Sequence, residues 1–210
     1  MSFSSKVKGE ICRYSDLTKE KALAEISAIM KVSGTITFSG SGLSFRIATE
    51  NPASARHIFS LLKEHFKIHS KLMVLTLDYR IDEEMVKDDE LKMSYIRGAF
   101  IGGGSVSNPE KTYHLEFVTH SEEYARDLCR LINLFGLNSK VIQRKNSHIV
   151  YLKEGEQISN LLGILGAHTS LLELENIRIM KEMRNNVNRL VNCETANLSK
   201  TVNAAVRQVE

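Results

Sequence analysis

The spacing of apolar and polar positions divides the chain into helices and hairpins. Leu23, Ile26, Ile29 and Met30 recur at helical spacing behind Thr18, a capping residue, and the pattern stops at Ser33-Gly34. Residues 35–39 and 43–47 are β-branched or alternate, and Gly40-Ser41-Gly42 lies between them, which predicts a hairpin. Asn51-Pro52 opens the next helix, with Asn51 as cap and Pro52 in the first turn. Its expected buried stripe is Ala55, Ile58, Phe59, Leu62 and Phe66. A strand over 72–79 and an acidic connector over 82–90 follow, and a short helix is expected in the lead-in, around 3–13.

The pattern then repeats. Displaced by 70 positions, the first half lies over the second without a gap for about thirty residues. Ser33-Gly34-Thr35-Ile36 falls on Gly103-Gly104-Ser105-Val106, Thr49 on Thr119, Ala55-Arg56 on Ala125-Arg126, and Leu61 on Leu131. Each half is thus a helix, a hairpin and a second helix, and two copies predict a pseudo-two-fold molecule. The second half adds a hairpin over 139–145 and 148–153, turning at Asn146-Ser147, and a helix over 157–165. The first half looks curtailed by comparison. After a break at 166–170, an amphipathic helix is expected over about 171–191, and a further helical pattern beyond Asn192-Cys193-Glu194. The apolar stripe of that last segment, with Leu198, Val202 and Ala205, has no evident partner.

Glycine costs about 1 kcal/mol relative to alanine inside a helix. Gly98, Ala99 and Gly102, followed by Gly103 and Gly104, are therefore poor choices unless another helix must approach closely. Gly34 and Gly104 occupy equivalent junctions. A phosphate-cradling loop is the sharper alternative for 102–104, but no Lys-Ser/Thr follows and the order is helix to strand.

A helix ending in small residues and glycine, followed at once by a hairpin and present twice, resembles the LAGLIDADG homing-endonuclease fold. The resemblance implies an α+β, pseudo-two-fold duplicated domain with β-hairpin sheets that straddle DNA. It also implies that the acid before each final glycine would bind divalent metal, since hard cations take oxygen ligands. Those positions are Ser33 and Gly103 here, and a third acid position falls on Ile101. No carboxylate is present, so no catalytic residue, metal site or cofactor is expected.

A closer similarity is to the WhiA family of bacterial DNA-binding regulators. Two segments carry it: Tyr95-Ile96-Arg97-Gly98-Ala99-Phe100-Ile101-Gly102-Gly103-Gly104, and the run Arg184-Asn185-Asn186-Val187-Asn188-Arg189-Leu190-Val191-Asn192-Cys193-Glu194-Thr195-Ala196-Asn197-Leu198. The family continues into a C-terminal helix-turn-helix, which is expected to lie outside this chain. The implied division is a first repeat over 1–88, a second repeat with its closing helix over 89–191, and a linker helix over 192–210. The implied function is a non-catalytic part of a transcription regulator connected with sporulation, cell division or chromosome segregation. Double-stranded DNA is the expected partner, mainly through the helix-turn-helix, with other regulatory proteins as a further class. A protein-interaction or ligand-sensing module and a metal-dependent endonuclease are the alternatives, the latter weaker.

Composition changes this picture little. At 42% apolar and 25% charged, the 210 residues are ordinary for a globular chain, and the net charge of +3 permits nucleic-acid binding without arguing for it. Three scattered cysteines point to reduced thiols in a cytoplasm, no apolar run is long enough to span a membrane, and the first thirteen residues lack the apolar core of a signal peptide. The expected setting is cytoplasmic and nucleoid-associated. His65 and His69 stand four apart but lack a third ligand, and the acids over 82–90 read as a solvated connector. Cys129 falls on an apolar stripe and reads as core. Arg46, Lys71, Arg144, Lys145 and Lys153 remain as candidate DNA contacts from strands and hairpins, with the basic helix from Arg178 to Arg189 as a second surface.

Overall fold

The computed structural model describes residues 2–14, 17–39, 42–66 and 80–209. The expected strand over 72–79, with Lys71 and His69, lies outside the described residues. Seven helices and six strands are seen among the rest: α1 (Phe3–Ile11), α2 (Lys19–Ser33), β1 (Gly34–Ser39), β2 (Gly42–Ile47), α3 (Pro52–Phe66), α4 (Asp89–Gly103), β3 (Gly104–Val106), β4 (Leu115–Thr119), α5 (Glu122–Asn133), β5 (Lys140–Arg144), β6 (Ser147–Leu152), α6 (Gly155–Leu165) and α7 (His168–Val209).

The repeat holds down to single hydrogen bonds. α2 and α4 each close on a glycine in extended conformation, Gly34 at φ −80° and ψ 144° and Gly104 at φ −78° and ψ 147°. Their amides donate to the equivalent carbonyls of Met30 and Phe100. The chain thus leaves each helix directly into a strand. The hairpins share one register as well: Gly34 pairs with Ile47, and Gly104 with Phe117. The N-caps are those the sequence predicts for α2 and α3, through Thr18 and Asn51.

β1 and β2 form a two-stranded sheet, and the second repeat builds a four-stranded antiparallel sheet in the order β3-β4-β6-β5. In β4 the side chains of Leu115, Phe117 and Thr119 are buried while Glu116 and Val118 are not, so one face meets the helices and the other faces out. The core lies between that inner face and the helices, around Tyr95, Ile96, Phe100, Phe117, Leu128 and Leu162.

Four expectations shift. The buried stripe of α3 is Ser54, His57, Ile58 and Leu61, while Ala55 and Phe59 face solvent, Phe59 at 62% exposure. The two stripes differ by one residue, and buried Glu25 on α2 decides between them by taking His57 as its partner. The second hairpin turns at Lys145-Asn146, one residue earlier than expected, since Arg144 pairs with Ser147. Lys145 adopts φ 55°, a positive value suited to the first position of a two-residue hairpin turn. α6 begins at Gly155. Finally, α7 runs unbroken through 185–186 and 192–194, and its 42 residues make it about 63 Å long.

Candidate nucleic-acid interface

The two motif helices, α2 and α4, cross where Gly98 meets Glu25. A Cβ at Gly98 would stand 2.2 Å from the Glu25 carbonyl oxygen and 2.8 Å from its Cα. Only hydrogen fits there. Gly102 is the next contact, with Val32 and Ser33 of α2 at 3.2–3.3 Å from a Cβ position. Ala99 is fully buried. These small residues bring two helix backbones together.

One side of the crossing carries a buried ionic cluster. Glu25 is completely buried; His57 Nε2 stands 2.5 Å from its Oε1 and Arg97 Nη1 3.9 Å from its Oε2. Arg97 also donates through Nε to the Leu165 carbonyl at 3.2 Å and stacks over the Tyr14 ring at 4.3 Å. The position equivalent to Glu25 holds Tyr95, which packs beside Tyr124, the equivalent of Ser54, with ring centroids 6.5 Å apart; burial raises both phenols above their ordinary range.

The sequence resemblance places the equivalents of a nuclease's metal-binding acids at the ends of these helices. Ser33 Oγ donates back to the Ile29 carbonyl at 2.9 Å, so its hydroxyl is engaged within its own helix. Gly103 has no side chain, and a Cβ there would stand 2.3 Å from Val32 Cγ1 and 2.7 Å from the Val118 carbonyl oxygen. The Ile101 carbonyl accepts from the Lys8 ammonium at 3.2 Å, a cation placed at the third lost acid position. Burial lowers the Lys8 pKa. A donor set of one hydroxyl and backbone does not fit a divalent cation. No group of three metal-ligating side chains occurs among the described residues.

The acids of the connector have local tasks. Asp82 caps a 3-10 turn over Glu83–Val86, and Asp88 caps α4 through the Leu91 amide. Glu90 pairs with Lys21 at 2.8 Å and Asp89 with Lys92 at 2.7 Å. Cys129 packs against the core from the edge, its thiol donating to the Ser139 carbonyl at 3.3 Å.

The outward face of the four-stranded sheet gathers three of the predicted basic residues. Strand alternation puts Lys140, Ile142 and Arg144 of β5 on that face, with Ile149 and Tyr151 of β6, and Lys153 just beyond β6. Lys145 sits at the hairpin tip. Lys140, Arg144, Lys145 and Lys153 are exposed, and Lys153 lies over the Tyr151 ring at 5.0 Å. The acid of this face, Glu116, is engaged by His114 at 3.0 Å and by the Ser105 hydroxyl at 3.3 Å. Arg46 is not part of this group: it is exposed on β2, opposite Thr35, at the position equivalent to Glu116. Lys140 was missed from sequence, although its two-residue spacing from Ile142 and Arg144 signals the shared face. The Glu25–His57–Arg97 cluster was missed too; a charged Arg97 inside an apolar helix was its trace.

α7 starts as part of the body and ends outside it. Leu174 and Ser170 are buried, and Lys181 donates to the Pro109 carbonyl at 2.8 Å. From 182 to 205 every residue is exposed. Met183, Val187, Leu190, Leu198 and Val202 keep an apolar stripe along this free length, so the stripe does not fold back on the domain. No helix is long and apolar enough to cross a membrane among the described residues.

Comparison with known proteins matches this geometry. The WhiA N-terminal LAGLIDADG-like domain matches residues 19–78, the WhiA LAGLIDADG-like domain residues 92–184, and the WhiA C-terminal HTH domain residues 187–210. The last match corrects the expectation that the helix-turn-helix is absent. Its matched residues belong to the projecting part of α7, where helical periodicity alone cannot separate a linker from the first element of a further module. A probable cell division protein WhiA of Clostridium beijerinckii is 69% identical over 248 residues, spanning 100% of this chain and 79% of the relative. Full-length DUF199/WhiA from Thermatoga maritima is 26% identical with a TM-score of 0.78, covering 99% of this chain and 77% of that one. The homing endonuclease I-DmoI bound to its target DNA shares the fold at a TM-score of 0.51 and 12% identity, over 70% of this chain and 96% of that one. With both LAGLIDADG-like domains matched and a relative 69% identical along the whole chain, the chain belongs to the WhiA family.

Proposed function

We propose that this chain is the non-catalytic scaffold of a bacterial DNA-binding transcription regulator connected with cell division, sporulation or chromosome segregation. Its sheets hold duplex DNA by the phosphates, and the C-terminal segment carries the sequence reading. It acts in the cytoplasm, on the nucleoid. The observation that supports this most is the outward sheet face: Lys140, Arg144 and Lys153 form no ion pair with a described residue, whereas Glu116 is engaged. Lys145 extends the basic surface at the hairpin tip, and Arg46, on the other sheet, and Lys71 are further candidates. Phosphate contacts position a protein without reading bases, which suits a scaffold next to a recognition module. Nuclease chemistry finds no support at Ser33 and Gly103, where no carboxylate is available and Gly103 has no room for one.

A second reading rests on Ile142, half-exposed at 51% in the middle of the same face. An apolar centre with basic flanks also suits a protein partner. Binding of labelled duplex DNA over a salt series separates the two. On the DNA reading, log affinity falls linearly with log salt, and Lys140→Glu with Arg144→Glu flattens the slope by roughly 0.9 per lost contact. An unchanged slope in the double variant would sink it.

A further inference from the structure

Between the end of α1 and the outer turns of α3 lies an open cleft of about 430 Å³, away from the sheet faces. Its volume falls in the range of about 300–1,000 Å³ typical of small-molecule sites. Arg13 stands on the α1 side and Arg56 on α3, both exposed and neither in an ion pair with a described residue. His65 adds an imidazole, and Glu64 is the one acid among the described lining residues. His57 forms part of the wall; with Nε2 held by Glu25, Nδ1 is the ring nitrogen left for a ligand. Tyr14 completes the set. One side of its ring carries the Arg97 guanidinium at 4.3 Å, and the side chain remains 41% exposed at the cleft.

Two guanidinium groups with no ion-pair partner among the described residues favour a phosphate or carboxylate. A tyrosine backed by a guanidinium is a platform for a flat ring. We propose that this cleft binds a free mononucleotide, its ring on Tyr14 and its phosphate between Arg13 and Arg56. The site does not depend on the DNA reading, since none of its residues lies on the sheets. It is wired to the helix crossing all the same: Tyr14 contacts Arg97, and His57 contacts Glu25, which abuts Gly98.

Calorimetric titration of the whole chain with adenosine and guanosine 5′-monophosphate, inorganic phosphate and a 5′-phosphorylated single-stranded oligonucleotide tests the assignment. The expected result is saturable binding of at least one mononucleotide, weakened about tenfold or more by Arg13→Ala with Arg56→Ala. Tyr14→Ala reduces nucleotide binding to the level of inorganic phosphate, and Tyr14→Phe restores it. The altered residues are exposed, and circular dichroism checks that each variant is folded. No binding at millimolar nucleotide, or binding indifferent to these variants, overturns the proposal. Binding of the oligonucleotide alone overturns it too, and assigns the cleft to a nucleic-acid strand.

Discussion

Gly98 and Glu25 touch backbone to backbone: a Cβ on Gly98 would overlap the Glu25 carbonyl oxygen at 2.2 Å. Relief would require α2 and α4 to part, since neither side of the contact is a flexible side chain. Gly98→Ala is therefore expected to cost about 1–3 kcal/mol or more, as overpacking does. For a chain of this size that lowers Tm by about 2–4 °C per kcal/mol. Gly102→Ala meets Val32 and Ser33 side chains at 3.2–3.3 Å and should cost clearly less. Thermal melts of the two variants make the comparison, and equal losses would contradict the close crossing.

Gly103 governs the prospects of restoring a nuclease. Ser33→Asp with Gly103→Asp puts carboxylates at both motif positions, but the second must displace Val32 or the β4 backbone at Val118. The double variant is expected to melt lower than Ser33→Asp alone and to leave plasmid DNA intact with Mg2+ or Mn2+. Cleavage dependent on both acids would refute the claim that the site has closed.

Glu10 ties α1 to the start of α7. Its carboxylate accepts from the Thr169 amide at 2.6 Å, the Ser170 amide at 3.0 Å and the Ser170 hydroxyl at 2.7 Å, so one side chain caps a helix far away in sequence. Partial burial pushes this carboxyl up, but the bonds from Ser170 and Thr169 together outweigh it and the net shift is downward. A carboxyl lowered in the folded state stabilises above its unfolded pKa, about 4.3, and the contribution is lost as pH falls through the folded value. Glu10→Gln should cost about 0.5–2 kcal/mol at neutral pH, typical of a lost cap, and the difference from the parent should shrink in acid. Denaturant melts at neutral and acid pH measure both. A penalty constant with pH would show that the charge is not involved.

Thiol chemistry distinguishes the body from the projecting helix. Burial, followed by weaker effects of its neighbours, pushes the Cys12 thiol up to about 11. Cys193 lies exposed on the free part of α7. Alkylation near neutral pH, followed by mass spectrometry, should label Cys193 first and leave Cys12 largely unmodified until the chain unfolds. Prompt labelling of Cys12 in the folded chain would argue against its packing.

The repeat and the helix-to-strand junctions were legible in the residues themselves. Periodicity, glycine and capping chemistry act within a few positions of the chain, so a shift of 70 residues exposes equivalent junctions directly. Tertiary structure decided what depends on partners distant in sequence. His57 turns inward because buried Glu25 awaits it, and so rotates the α3 stripe by one residue. Glu25 and Tyr95 occupy equivalent places, yet only the packing shows that one joins an ionic cluster and the other a tyrosine pair. Lys140, Arg144 and Lys153 share a face because β5 and β6 pair in one register, and a slip of one residue would have parted them.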